Sequence, residues 1–395
     1  MAGPNRAQLA YLRGATRLAF DATAGVTSIV ERMHGTIQGR SGRAEGLPLD
    51  STDGIAGLVY GGISGCVRLI CSGLDAGLAS IEARLPDGAA TAAQDALAAA
   101  VNGVYGDHLA RSGNPLAIKM GLHSGGREID LEHPARAFDD GRDGRLSAKL
   151  LVLVHGLCLS DHQWTREGHN HGTALASALG FTPLFLRYNS GLHVADNGRE
   201  FAQALHTLVG NWPRPVRELA IIGHSMGGLV ARSAVHVGRE AGHDWPGLVH
   251  KMVFLGTPHH GAPLERAGHW LDRLMEASPY SAPLTRLGKS RSAGISDLRY
   301  GSITTGTHQF IPLPAGVDCY AAAATLAPRR SVLSERLLGD GLVPLDSALG
   351  RHADSSRSFA IPEDRLFVGY RMGHLELLSR SEVYLQLRDW LAGAA

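Results

Sequence analysis

The sequence predicts an α/β fold from residue 146 onward, a mostly parallel sheet covered by helices on both faces, preceded by a helical extension. Three observations predict it. Short apolar runs alternate with helical runs through residues 146–395, the pattern of βαβ units. The apolar runs Lys149–Val154 and Leu219-Ala220-Ile221-Ile222 are continuous, as strands buried on both faces are. Residues 1–145 show helical patterning and are rich in Ala and Gly.

Within that first part, Arg17 to Ile37 carries Leu18, Val26, Ile29, Val30 and Met33 at helical spacing. Ile55 to Leu85 and Ala89 to Tyr105 read as two further helical blocks. In the former, Gly57, Gly61 and Gly65 recur every four residues, a face that permits close helix–helix approach. Arg68 and Asp75 interrupt the run, so a packed helical domain is favoured over a bilayer span. Peripheral contact with a membrane or lipid surface through these helices, and an oligomer contact, stay open. Gly121 to Arg145, dense in breakers and charges, reads as a linker or surface loop.

Beyond it the order is strand Lys149–Val154, helix Thr173–Leu179, strand Pro183–Tyr188, helix Asn197–Val209, strand Leu219–Ile222 and a helix from Leu229. Strands at Val249–Leu255, Val317–Ala322 and Arg365–Tyr370 follow, and helix Val383–Leu391 ends the series. Residues 262–316 are long for a loop, and Trp270, Leu271, Leu274, Met275 and Leu284 make them apolar and helical. This segment is expected to form a cap or lid, mobile or static. The expected division is 1–145, mainly helical, and 146–395, with 262–316 as the insertion.

Composition narrows the function classes. Lys+Arg 38 against Asp+Glu 37 leaves a formal charge of +1, so no basic field argues for nucleic acid. Cys66, Cys71, Cys158 and Cys319 have no metal-ligand spacing and read as free thiols. The first 24 residues lack the compact apolar core and cleavage site of a signal peptide. No apolar stretch is long enough for a transmembrane helix. The expectation is a cytoplasmic or peripherally membrane-associated protein.

The chemistry sits at Gly223-His224-Ser225-Met226-Gly227-Gly228. This is Gly-x-Ser-x-Gly between an apolar strand and a helix, the setting of a nucleophile elbow. Gly223 and Gly227 keep the turn narrow, and the helix N-terminus behind Ser225 faces a developing oxyanion. A serine nucleophile needs a base, and the base an orienting acid. Asp340, in Gly339-Asp340-Gly341, is the candidate acid, with Asp346 as fallback and Asp318 less favoured within a strand. His374, after the last strand and before the last helix, is the candidate base. The Met226 N–H is one expected oxyanion donor. The Leu157 N–H, in the loop that opens His155-Gly156 after the first apolar strand, is the other.

Taken together, the strand ending in His155-Gly156, the Gly223–Gly228 elbow, Leu255-Gly256-Thr257-Pro258-His259-His260-Gly261, Gly339-Asp340-Gly341-Leu342-Val343-Pro344 and Gly373-His374 resemble bacterial lipases and esterases of the α/β-hydrolase superfamily. The Gly-Thr-Pro-His-His-Gly segment is similar to one in triacylglycerol-lipase-like and GPI-inositol-deacylase-like members. The resemblance covers about residues 148–393. It implies an α/β-hydrolase fold, Ser225 as nucleophile, Asp340 as acid, His374 as base, and hydrolysis of an ester or lipid substrate without an organic cofactor. Some such lipases hold a structural calcium or zinc ion; Asp346 and nearby acids could contribute to such a site, but no convincing ligand set is present, and no metal is expected. A thioesterase, amidase or acyltransferase could run on the same groups. A non-catalytic lipid-binding scaffold is the rival from another class.

Overall fold

The computed structural model describes residues 5–39, 71–85, 92–138, 146–262, 292–305, 310–328 and 339–393. The chain divides into two compact units. The smaller takes in residues 1–94 and Leu109–Ala117. Its described part has a long helix, Arg6–Gly39, and a helical stretch over residues 71–82. Arg13 and Arg17 both grip the Asp75 carboxylate, at 2.6 Å and 2.5 Å, and hold its pKa down to about 2. The expected helical blocks at Arg17–Ile37 and Ala89–Tyr105 are therefore found in the helices Arg6–Gly39 and Ala92–Arg111. Gly57, Gly61 and Gly65 lie outside the described residues.

The larger unit comprises Asp95–His108 and everything from Ile118 on. Its centre is an eight-stranded sheet. In chain order the sheet strands are β1 (Gly121–Ser124), β2 (Arg127–Glu128), β3 (Lys149–Val154), β6 (Thr182–Arg187), β7 (Glu218–His224), β8 (Val249–Leu255), β9 (Asp318–Thr325) and β10 (Leu366–Tyr370). A separate hairpin pairs β4 (Thr165–Arg166) with β5 (His169–Asn170). The spatial order is β10-β9-β8-β7-β3-β6-β1-β2. From β10 to β6 every pair is parallel, and β1 joins β6 antiparallel.

The reading of residues 121–145 as a linker is corrected here. Gly121–Ser124 and Arg127–Glu128 are sheet strands, and Leu122 is fully buried. Strands of four and two residues are too short to show any period, and their breakers look like loop signals. The sheet edge, not local pattern, makes them strands.

Both faces of the sheet are covered. Leu150, Val152 and Val154 of β3 point to one side, with Leu219 and Ile221 of β7. There they meet Phe201 and Leu205 of helix Val194–Gly210, and Leu229 and Val230 of helix Met226–Glu240. Leu151 and Leu153 point to the other side, against Leu175 of helix His171–Leu179 and Leu387 of helix Ser381–Ala392. Period-two alternation thus serves two cores at once, which is why the runs Leu150–Val154 and Leu219–Ile222 are apolar without a break. Helix His171–Leu179 stops at Gly180, which has φ 73°, a left-handed cap that glycine adopts without strain.

The chain leaves β3 for β6 on one side, then returns to place β7 on the other side of β3. Loops at the carboxyl ends of β3 and β7 therefore diverge and leave a crevice between them. Residues 155–158 and Ser225 both emerge there. Of the expected cap, helix Ala293–Tyr300 is described. Trp270, Leu271, Leu274, Met275 and Leu284 lie outside the described residues.

Candidate active site

The site is built on the turn between β7 and helix Met226–Glu240. Ser225 has φ 54° and ψ −125°, a region that non-glycine residues occupy at a cost of about 1–3 kcal/mol. Tight packing imposes the conformation. A Cβ on Gly223 would stand 2.5 Å from the Gly228 Cα, and one on Gly227 would stand 2.2 Å from the Val154 carbonyl oxygen. Both obstacles are backbone, so neither can turn aside. Gly227→Ala is expected to abolish activity and sharply lower soluble yield, as activity assay and expression would show. Wild-type behaviour would mean that the elbow has room for a methyl group, against the 2.2 Å approach to the Val154 carbonyl oxygen. The turn is anchored by the Ser225 N–H, which donates to the Leu255 carbonyl at 2.8 Å.

His374 opens the turn His374–Leu378 after β10. Its Nδ1–H donates to Asp340 Oδ2 at 2.6 Å, with both residues buried. The other Asp340 oxygen, Oδ1, accepts the N–H groups of Leu342 at 2.9 Å and Val343 at 2.7 Å. Glycines with positive φ flank the aspartate, Gly339 at 42° and Gly341 at 90°, and let the chain double back to supply those two donors. The carboxylate is thereby fixed in rotation and the imidazole in tautomer, with its proton on Nδ1. Nε2 is left as an acceptor, and it is buried with no partner among the described residues. The His374 ring lies against Gly256, where a Cβ would be 2.9 Å from Cε1. Gly256 directly follows Leu255, whose carbonyl holds Ser225.

Two other histidines hold the backbone of this turn. His224 Nε2–H donates to the His374 carbonyl at 3.3 Å. His171 Nε2–H donates to the Leu377 carbonyl at 3.1 Å. Burial pushes the His171 pKa down to about 4 and that of His224 well below its ordinary value. His155 is also driven to about 4 by burial. Its Nδ1–H donates to the Gly156 carbonyl at 2.9 Å, and its ring stacks on Tyr188 at 4.3 Å. These rings are neutral hydrogen-bonding posts at neutral pH.

The same burial predicts the acid behaviour of the fold. Unfolded, these histidines take up a proton near pH 6.5, whereas folded His155 and His171 resist until about pH 4. The unfolded state therefore binds more protons between those limits, and stability falls as pH drops through that window. The expected slope is about 1.4 kcal/mol per pH unit for each such histidine. Denaturant unfolding at pH 7, 6, 5 and 4 measures it, and a flat profile down to pH 4 would contradict it.

The loop after β3 closes the other side. A Cβ on Gly156 would come 3.0 Å from the Ser225 Cβ, so a larger residue there would crowd Ser225. Leu157 follows, buried, and its N–H donates to no group among the described residues. Cys158 has φ 59°, and its N–H is tied to Ser190 Oγ at 3.1 Å. This kink turns the loop back immediately after Leu157. Met226 is the first residue of the helix behind Ser225 and is fully buried.

Ser225, Asp340, His374, His155, Gly156, Leu157, His224, Met226, Gly223 and Gly227 thus all lie around the carboxyl ends of β3, β7 and β8, or pack on the His374 turn. The fallback acids do not join them. Asp346 is exposed on the short helix Leu345–Ala348, and Asp318 pairs with Arg365 at 2.8 Å. A cavity of about 250 Å³ adjoins the pair, lined by Leu326, Asp340, Leu342, Gly373, His374 and Leu375 among others. His171, Tyr188 and Ser190 support the site without any local signal. Their partners lie 206, 33 and 32 residues away in the chain.

Cys71, Cys158 and Cys319 are free thiols. Burial raises the pKa of both Cys158 and Cys319 to about 12, so neither is a nucleophile at neutral pH. Among the described residues no group of three His, Cys, Asp or Glu side chains could hold a metal ion. No helix among them is long and apolar enough to cross a membrane.

Residues 191–318, which contain the elbow and β8, match the family described as the PGAP1-like alpha/beta domain. Among solved structures the chain is similar to the mature lipase BlEst2 of Bacillus licheniformis, at 19% identity over 62% of this chain and 94% of that one, with a TM-score of 0.42. It is also similar to lipase B of Aspergillus fumigatus, at 14% identity over 69% and 56%, with a TM-score of 0.39. An esterase of Pyrobaculum calidifontis is similar at 16% identity over 64% and 77%, with a TM-score of 0.40. No curated protein matches the sequence.

Proposed function

We propose that this chain, an α/β-hydrolase with a PGAP1-like alpha/beta segment, is a serine carboxylester hydrolase of the lipase and esterase kind. One observation carries the reading. The imidazole of His374 is locked through Nδ1 to a buried, doubly braced carboxylate, while Nε2 is left unpartnered beside the strained serine elbow.

The reaction follows from these groups. His374 Nε2 takes the Ser225 Oγ proton as Oγ bonds to the ester carbonyl carbon. Asp340 stabilises the imidazolium that forms. The carbonyl oxygen becomes an oxyanion held by the Leu157 and Met226 N–H groups, assisted by the helix N-terminus. The C–O bond to the alcohol then breaks, and the alcohol leaves with the proton from Nε2. Water repeats the sequence on the acyl-enzyme, releasing the carboxylic acid and restoring Ser225. Ser225 Oγ has no hydrogen bond to His374 in this conformation, and such contacts commonly tighten only with substrate bound.

Leu326, Leu342 and Leu375 make the cavity beside His374 suitable for an apolar part of the substrate. Hydrolysis of p-nitrophenyl esters from acetate to palmitate tests the reading. Each methylene that enters the cavity is expected to raise kcat/KM about fourfold until it is filled. An alcohol acceptor added to the assay separates hydrolysis from acyl transfer. Absence of turnover on every ester, together with no labelling of Ser225 by a fluorophosphonate, would overturn the proposal.

A further inference from the structure

A second cavity, of about 20 Å³, is lined by Arg232, His259, His260, Tyr300, Phe310 and Arg357 among others. Its lining includes two arginines and no aspartate or glutamate. Arg232 stands on helix Met226–Glu240, the helix that follows Ser225, and only 4% of it is exposed. Its guanidinium donates to the Ile311 carbonyl through Nη2 at 2.7 Å and to His259 Nδ1 through Nη1 at 3.4 Å. It also lies 4.6 Å from the centre of the Phe359 ring. Nε makes no hydrogen bond among the described residues, and no carboxylate there pairs with the group.

A buried charge of this kind ordinarily has an opposite charge beside it, because desolvating an unpaired ion is expensive. Here the neighbours are of the wrong type. His259 is itself buried, and it accepts from Arg232 on Nδ1, so its own proton sits on Nε2, which has no partner. His260 Nε2–H is taken up by the Gly350 carbonyl at 3.1 Å. Asp354, near Arg357, is exposed and engaged with Ser356 at 2.7 Å and 3.0 Å. Burial lowers the Arg232 pKa only to about 10, so it stays cationic at neutral pH. The cavity is therefore positive, with Arg232 and Arg357 facing it. Its volume suits one or two water-sized spheres, which excludes a bulky ligand.

We propose that this cavity is a binding site for a small inorganic anion of about chloride size, held by Arg232 and Arg357. The anion would tie together the helix after Ser225, the His259–His260 loop, the Tyr300–Thr304 segment and the Arg357 turn. This goes beyond the hydrolytic reading and does not depend on it, so the test reads anion binding and stability of the parent chain, not turnover.

Chloride is exchanged for gluconate at fixed ionic strength, and Tm and ³⁵Cl line broadening are followed. Tm is expected to rise saturably with chloride. Arg357→Ala, at the rim, is expected to raise the half-saturating concentration by about tenfold or more. Arg232→Met is expected to lose the chloride response. Should that variant fail to fold, Arg357→Ala decides alone. A Tm indifferent to chloride in the parent chain, or an unchanged half-saturation in Arg357→Ala, would overturn the site.

Discussion

Ser225→Ala is expected to lower kcat on p-nitrophenyl esters by roughly 10⁵–10⁶-fold, leaving only the background that an oxyanion hole and binding supply. The change removes one oxygen that makes no capping hydrogen bond to its helix and none to His374 Nε2, so no partner among the described residues is orphaned. Alanine is, however, no better suited than serine to φ 54°. The backbone strain is thus carried by both chains, and Tm is expected to move by no more than a few degrees. KM should stay close to the parent value, because acyl and alcohol contacts are untouched. A variant with more than one-hundredth of the parent kcat would assign the nucleophile elsewhere. A folded parent labelled by a fluorophosphonate at another serine would do the same.

Asp340→Asn carries the second-largest effect, a loss of about 10⁴-fold in kcat. The reason lies in the donor count around the carboxylate. Oδ1 receives two backbone N–H groups and Oδ2 receives His374 Nδ1–H. An asparagine cannot accept on both sides. If its oxygen faces Leu342 and Val343, its NH₂ faces Nδ1, and the imidazole must move its proton to Nε2. The base then has nothing to accept with. If the amide is reversed, the NH₂ meets two N–H donors and the loop is forced open. Either way His374 loses the arrangement it needs, while the residue keeps its size. The matching control is Asp346→Asn, exposed on its short helix, which is expected to keep full activity. A reversal of the two results would move the acid to Asp346 and undo the assignment.

These two predictions rest on residues that the chain announces locally. A serine elbow needs small neighbours within three positions, so Gly223, Ser225 and Gly227 stand together in the sequence. Asp340 and His374 are marked by strand order and flanking glycines. β3 and β8 could be recognised as strands because their central runs, Leu150–Val154 and Met252–Leu255, are apolar and buried without a break. Helix Met226–Glu240 could be anticipated because it starts at the elbow itself.

What was hidden is equally specific. β1 and β2 carry too few residues for any period to appear, and only pairing with β6 makes them strands. His171 and His224 are two among twenty histidines. Nothing nearby in sequence says that both donate to carbonyls of one turn, that of His374. His155 could be placed in the loop beside Ser225, but its stacking on Tyr188 joins residues 33 positions apart. The Gly-Thr-Pro-His-His-Gly segment was legible as a motif, yet its His259 accepts from Arg232, a residue unremarkable in its helix.

The alternation of strands and helices, and the serine, aspartate and histidine proposed as the reacting groups with their chain order, could be read from the amino-acid sequence alone. Those features arise from contacts and steric limits within a few residues, which leave a local imprint. The hydrogen-bond partners of the buried histidines, the edge strands, and the burial of Arg232 in a cavity that Arg357 also lines came from long-range packing. Each of these depends on burial and on partners far apart in the chain. Burial sets the protonation of a histidine and the worth of a charge, and no run of neighbouring letters records it.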